Sequence, residues 1–170
     1  ESPTMRIYLV RHAHAGWPAP GVRDFDRALD ERGLEEAARL GASMVINGFA
    51  PDVILCSGAR RCAQTLAIML ETSLNSPRLT SSDSLYSGTV QTYLDLIATE
   101  AAAATPSVMS VGHNPMSEET ARALLQSSPD AFDLALGNGF PTAGLLIADM
   151  AAAGDLHDCR FVGLLTPVDA

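Results

Sequence analysis

A chain of 170 residues, 47% of them hydrophobic, can bury one proper core and is short for two. With 18% charged residues it does not have the composition of a disordered chain. The net charge of −9 argues against nucleic acid or an anionic membrane as partner, and no run of about 18 apolar residues offers a membrane span. Residues 1–4, Glu1-Ser2-Pro3-Thr4, lack the basic and apolar parts of a signal peptide. They read as a tag or a disordered lead-in, with 5–170 as one domain and a cytoplasmic location as the expectation.

In chain order, Arg6-Ile7-Tyr8-Leu9-Val10 is a short β-favouring run that stops at Arg11-His12. A loop with Pro and Gly follows to about Asp26. Apolar residues at helical spacing predict a helix from about Asp30 to Ile46, stopped by Asn47-Gly48. Val53 to Cys56 is the next strand. Ser57 is a candidate cap for a helix over about Gly58 to Thr72. Arg78 to Thr80 is a weak strand candidate, and Thr89 to Ala104 reads as a helix. Ser107 to Val111 is a strand ending at Gly112-His113-Asn114-Pro115, before a helix over about Ser117 to Gln126. Gly144 to Ala148 and Arg160 to Leu164 are strands about a Gly154-Asp155 turn.

Strand and helix alternate four times. The class is therefore α/β, a single-domain three-layer α/β/α sandwich with a mostly parallel sheet and helices on both faces. The short connection between the last two strands leaves room for an antiparallel part. Cys56, Cys62 and Cys159 are odd in number and fit no zinc spacing, so they read as buried free thiols. No pair among His12, His14, His113 and His157 has the helical spacing of a zinc site, and no Gly-rich nucleotide loop is present. No metal and no cofactor is expected.

Three polar clusters follow three strands: Arg11-His12, Ser57 to Arg61, and Gly112-His113. Ligands of open α/β sheets bind at the carboxyl ends of strands, so these clusters should converge. A neutral imidazole is a good nucleophile towards phosphorus. All 11 basic residues are Arg, whose planar fork suits two-point recognition of phosphate. Arg60 and Arg61 both lie near a helix start, where an Arg is unfavourable unless an anion is present.

Leu9-Val10-Arg11-His12-Ala13, Ser57-Gly58-Ala59-Arg60-Arg61-Cys62-Ala63-Gln64-Thr65 and Val111-Gly112-His113-Asn114-Pro115 resemble the histidine phosphatase superfamily, also called phosphoglycerate mutase-like. The short length and Arg27 to Gly33 resemble its SixA-type phosphohistidine phosphatase branch. The usual Gly after the first His is here Ala13. The resemblance implies that His12 becomes phosphorylated and that Arg11, Arg61 and His113 surround the phosphoryl oxygens. It selects Arg61 over Arg60. It offers Asp83, shortly after the third strand, as the nearest match to the family's acidic proton donor, against a plain loop Asp. Arg27 and Asn114 are candidate substrate contacts, Arg27 against a surface ion pair with a nearby Asp. His14 and Trp17 are candidates for the rim, against simple loop packing.

The favoured function is hydrolysis through a phosphohistidine intermediate, with protein phosphohistidine as substrate. A chain without long lid insertions should have a shallow, open pocket. The alternatives are a small-molecule phosphomonoesterase or mutase, and a catalytically silent phosphate-binding module. The partner is a phosphorylated protein or small molecule, and a monomer is favoured.

Overall fold

The computed structural model describes residues 5–151 and 154–167. Residues 1–4, read above as a lead-in, lie outside the described residues. One six-stranded sheet has the order β3-β2-β4-β1-β5-β6. The strands are β1 (Met5–Arg11), β2 (Val53–Ser57), β3 (Arg78–Ser82), β4 (Ser107–Gly112), β5 (Leu145–Met150) and β6 (Cys159–Leu165). β1, β2, β3 and β4 run parallel. β5 is antiparallel to both β1 and β6. The expected α/β class and mixed sheet are found.

Side-chain alternation along the strands splits the core into two layers. Ile7, Leu9, Val53, Leu55 and Val108 join one cluster, against α4 (Val90–Ala102), α5 (Met116–Leu124) and α6 (Pro129–Leu136). Tyr8, Val10, Ile54, Cys56 and Met109 face the other, against α1 (Glu31–Asn47) and α2 (Arg60–Leu70). Burying a Leu or Phe side chain stabilises the fold by about 1.5–3 kcal/mol. Leu124, fully buried on α5, is a position where truncation to Ala costs about 2–5 kcal/mol.

The elements end where local chemistry stops them. Asp30 caps α1 by accepting the Gly33 N–H at 2.8 Å. Gly48 closes that helix at φ 69°, in the left-handed region that glycine adopts without a steric cost. α4 starts with a capping box between Thr89 and Thr92.

Several expectations shift. α2 begins at Arg60 with Ala59 at its cap position, so Ser57 is not the helix cap but the last residue of β2. The sequence reading missed α6 and the one-turn α3 (Ser84–Ser87). For α6 the signal was available: Pro129 sits at the first helical position, and Phe132 and Leu136, one turn apart, are buried. β5 runs on past Ala148 because the Asp149 carboxylate is satisfied inside the sheet. It accepts from Arg6 Nε at 2.9 Å and Nη2 at 3.0 Å, and from Arg160 at 3.1 Å. The three cysteines are free and buried. Among the described residues, no helix is long and apolar enough to cross a membrane.

Candidate active site

Sheet register brings the three polar clusters together. Arg11 is aligned with Gly112 across β1 and β4, and Cys56 with Val111 across β2 and β4. The next residues, His12, Ser57 and His113, therefore leave one edge of the sheet side by side. The His12 N–H donates to the Gly112 carbonyl at 3.0 Å, extending the β1–β4 ladder by one step. Gly112 lies tight against Tyr93, where a Cβ would strike the phenol ring. The Tyr93 hydroxyl accepts the His113 N–H at 3.0 Å and donates to the Leu85 carbonyl at 2.8 Å. The glycine thus lets α4 brace the backbone of His113.

The surroundings of His12 select its tautomer. Its Nδ1 lies 2.6 Å from the Ala13 carbonyl, an acceptor, so Nδ1 must donate. The lone pair is left on Nε2, which accepts from Arg61 Nε at 3.3 Å. Burial pushes the imidazole down to about 3. The Ala13 carbonyl opposes this, while His113, Arg61 and Arg11 add to it. His12 is therefore neutral at ordinary pH, with its lone pair on Nε2.

Arg61 is buried at the first turn of α2 and reaches both histidines. Its Nη2 donates to His113 Nδ1 at 3.3 Å. His113 then carries its proton on Nε2 and donates it to the Ser57 hydroxyl at 2.8 Å. Burial, followed by the Arg61 charge, pushes His113 down to about 4, with Asp24 pulling it back. The His12 and His113 rings stand 5.4 Å apart, centroid to centroid. The first turn of α2 is tied to the loop after β1 by Thr65, whose hydroxyl accepts the Ala13 N–H at 3.0 Å and donates to the Arg61 carbonyl at 2.7 Å.

These side chains open onto a cavity of about 550 Å³ whose lining includes Arg11, His12, His14, Arg27, Arg61, His113 and Asn114. Arg11 is anchored by one bond, from Nη1 to the Phe140 carbonyl at 2.7 Å, and burial lowers its pKa. The buried Nε atoms of Arg11 and Arg27 have no hydrogen-bond partner. Both arginines line the cavity, and fixed positive charge there suits an anionic guest. Arg27 also faces Asp24 at 3.7 Å, so it has both the cavity position and the ion pair weighed for it.

Other expected residues lie elsewhere. Asp83 does not line the cavity: it is exposed, sits at the cap position of α3 and lies against Gly58. Trp17 is 95% exposed and is absent from the cavity wall. Arg60 is exposed on α2, one residue from buried Arg61. Sequence reasoning missed Asp24 and Tyr86, which do line the cavity. Asp24 belongs to a short 3-10 helix, Asp24–Asp26. Its carboxylate accepts from the Tyr86 hydroxyl at 2.8 Å and from Arg61 at 3.1 Å, and these bonds hold it below the usual carboxylate range. A lone Asp in a loop carries no sequence signal of that pairing.

Residues 7–84 match the family model described as histidine phosphatase superfamily (branch 1). The chain superposes on SixA from Agrobacterium tumefaciens, a candidate phosphohistidine phosphatase, with TM-score 0.84 and 39% identity over 95% of this chain and 98% of that one. An uncharacterised protein of Mycobacterium tuberculosis is 32% identical over 84% of this chain and 87% of its own length. The chain belongs to the SixA-type branch of the histidine phosphatase superfamily. An uncharacterised chloroplastic protein of Arabidopsis thaliana is 30% identical over 75% of this chain, and the match spans 62% of that longer relative. For a histidine phosphatase, paired imidazoles and buried arginines at the strand ends are chemically apt: a nucleophile beside fixed positive charge.

Proposed function

We propose that the chain hydrolyses phosphorylated substrates by passing the phosphoryl group to His12 Nε2 and then to water, and that protein-borne phosphohistidine is the favoured substrate. The observation that carries this reading is the pinned tautomer of His12, with its lone pair held beside Arg61 and His113. In the first half-reaction the Nε2 lone pair attacks phosphorus and the bond to the leaving group breaks. Arg11, Arg61 and Arg27 supply positive charge where the phosphoryl oxygens gather. A bound dianion also favours the charged form of His113. In the second half-reaction water displaces His12 and releases phosphate.

Phosphohistidine suits the site because its imidazole leaves more readily than an alkoxide. The cavity is open to solvent, which favours a side chain carried on a protein surface. An open site also makes a poor mutase, which must keep water from the phosphoenzyme. A silent binding module would not need the nucleophile. One preparation should be assayed on phosphohistidine protein, an alkyl phosphate and p-nitrophenyl phosphate. The expected order of kcat/KM places phosphohistidine protein first, with His12→Ala stopping all three. Equal or greater preference for a small phosphoester would move the assignment to a small-molecule phosphatase.

A further inference from the structure

We propose that His14, backed by Asp30, is the proton donor and acceptor of this site; the proposal rests on the phosphohistidine reading above. Asp83 stands outside the cavity. The carboxylate that does line it, Asp24, is engaged by Tyr86 and Arg61 and held in its charged form, which has no proton to give. His14 lies on the cavity wall and also on the wall of an adjoining cleft of about 710 Å³. Arg11, Asn114 and Thr142 are the other residues shared by both. It therefore stands at the passage between the phosphoryl site and the space that can take the body of a substrate.

The arrangement around His14 is that of an oriented acid–base. Its Nδ1 lies 2.5 Å from Asp30 Oδ2, so Nδ1 carries a proton and Nε2 is the nitrogen that exchanges. Nε2 has no partner among the described residues. Asp30 is itself fixed, since its other oxygen caps α1 through Gly33 N. The backbone is held from three sides. His14 N–H donates to Glu36 Oε1 at 2.9 Å, its carbonyl accepts the Asp30 N–H at 3.2 Å, and Gly33 packs so closely that a Cβ would strike that carbonyl. An imidazole oriented by a carboxylate, with its other nitrogen free, is built to give and take a proton. The charged groups around it are Asp30 at the helix start, Arg32 and Glu36 on α1, and Arg11 at the end of β1.

As the His12 Nε2–P bond forms, the P–O or P–N pair goes to the leaving atom, which takes the Nε2 proton of the His14 imidazolium. Neutral His14 then accepts a proton from water as its oxygen attacks phosphorus and the N–P pair returns to His12. The site is thereby reset.

The test uses His14→Gln and Asp30→Asn, the latter keeping a side chain that caps helices well. Formation of the His12 adduct and its hydrolysis are read separately. In His14→Gln, adduct formation from an alkyl phosphate should fall by about 10²–10³-fold, within the usual span of general acid catalysis. Formation from p-nitrophenyl phosphate should change by less than about 3-fold, because that leaving group departs without a proton. Hydrolysis of the adduct should slow whichever substrate made it. Asp30→Asn removes the charge that favours the imidazolium, so the alkaline limb for the alkyl substrate should move to lower pH. Equal losses on both substrates, no loss on either, or unchanged adduct hydrolysis would overturn the proton role while leaving His12 as nucleophile. Absence of any His12 adduct in the unaltered protein would overturn both readings.

Discussion

The floor of the candidate site is carried by three strand ends and the first turn of α2, whereas its rim includes Ala15, Asp24 and Arg27 from the loop after β1 and Tyr86 from the one-turn helix α3. On the floor, His12, Ser57, Arg61 and His113 are all buried and bond to one another. On the rim, Asp24 keeps a 54% exposed side chain, and Trp17, in the same loop but off the cavity wall, is almost wholly in solvent. Geometry fixed by a sheet ladder allows little choice of rotamer, whereas loop side chains are held by a few exposed bonds. Substitutions should therefore act on the chemistry when they fall on the floor, and on binding or on nothing when they fall on the rim.

The largest effect is expected for His12→Ala, which should reduce turnover of every substrate to background in steady-state assays. Next, Arg61→Ala and His113→Ala should each lower kcat by about 10²–10³-fold, the size seen when a charge-stabilising donor is lost. A change in KM alone would place them on the binding side instead. Ser57→Ala removes one hydrogen bond to His113 Nε2, and at about 1–1.5 kcal/mol should cost roughly 10-fold in kcat.

Stability tests the same contrast without substrate. His12 at about 3 and His113 at about 4 lie below the ordinary histidine value of about 6.5. Below that value the unfolded chain binds more protons than the folded one. The stability tied to these neutral imidazoles is therefore complete above about pH 6.5 and is lost as pH falls towards 4 and then 3. The slope is at most about 1.4 kcal/mol per pH unit for each histidine. Denaturant midpoints should drop between pH 7 and 5, and His113→Asn should make the drop shallower. The smallest effects belong to Trp17→Ala and Asp83→Asn, which should change kcat/KM by no more than about 2-fold, as exposed positions usually do. A large loss at either would show that the rim closes over the substrate.

The same division explains what could be read before the structure. The strand ends were legible because a buried β run that stops at a polar pair marks a sheet edge, and parallel strands bring such edges together. Arg61 could be separated from Arg60 only by resemblance, since helix spacing puts neighbouring residues on different faces without saying which is buried. Asp24 and Tyr86 meet through a 2.8 Å bond across 62 positions, and no periodicity encodes that. The expectation for Asp83 followed sequence distance from the third strand, but α3 turns that residue outward to solvent. Asp149 misled the reading of β5 because a charge in an apolar run looks like a strand end until its two arginine partners are placed.

The most direct test of the account is to trap the phosphorylated protein and determine which nitrogen carries the group. Nδ1 of His12 is committed to the Ala13 carbonyl, so the phosphoryl group should be on Nε2 of His12. Acid-labile, base-stable phosphohistidine mapped to residue 12, with the isomer read by phosphorus and nitrogen NMR, is the predicted result. Phosphate on Nδ1, on His113, or persisting in His12→Ala would contradict it.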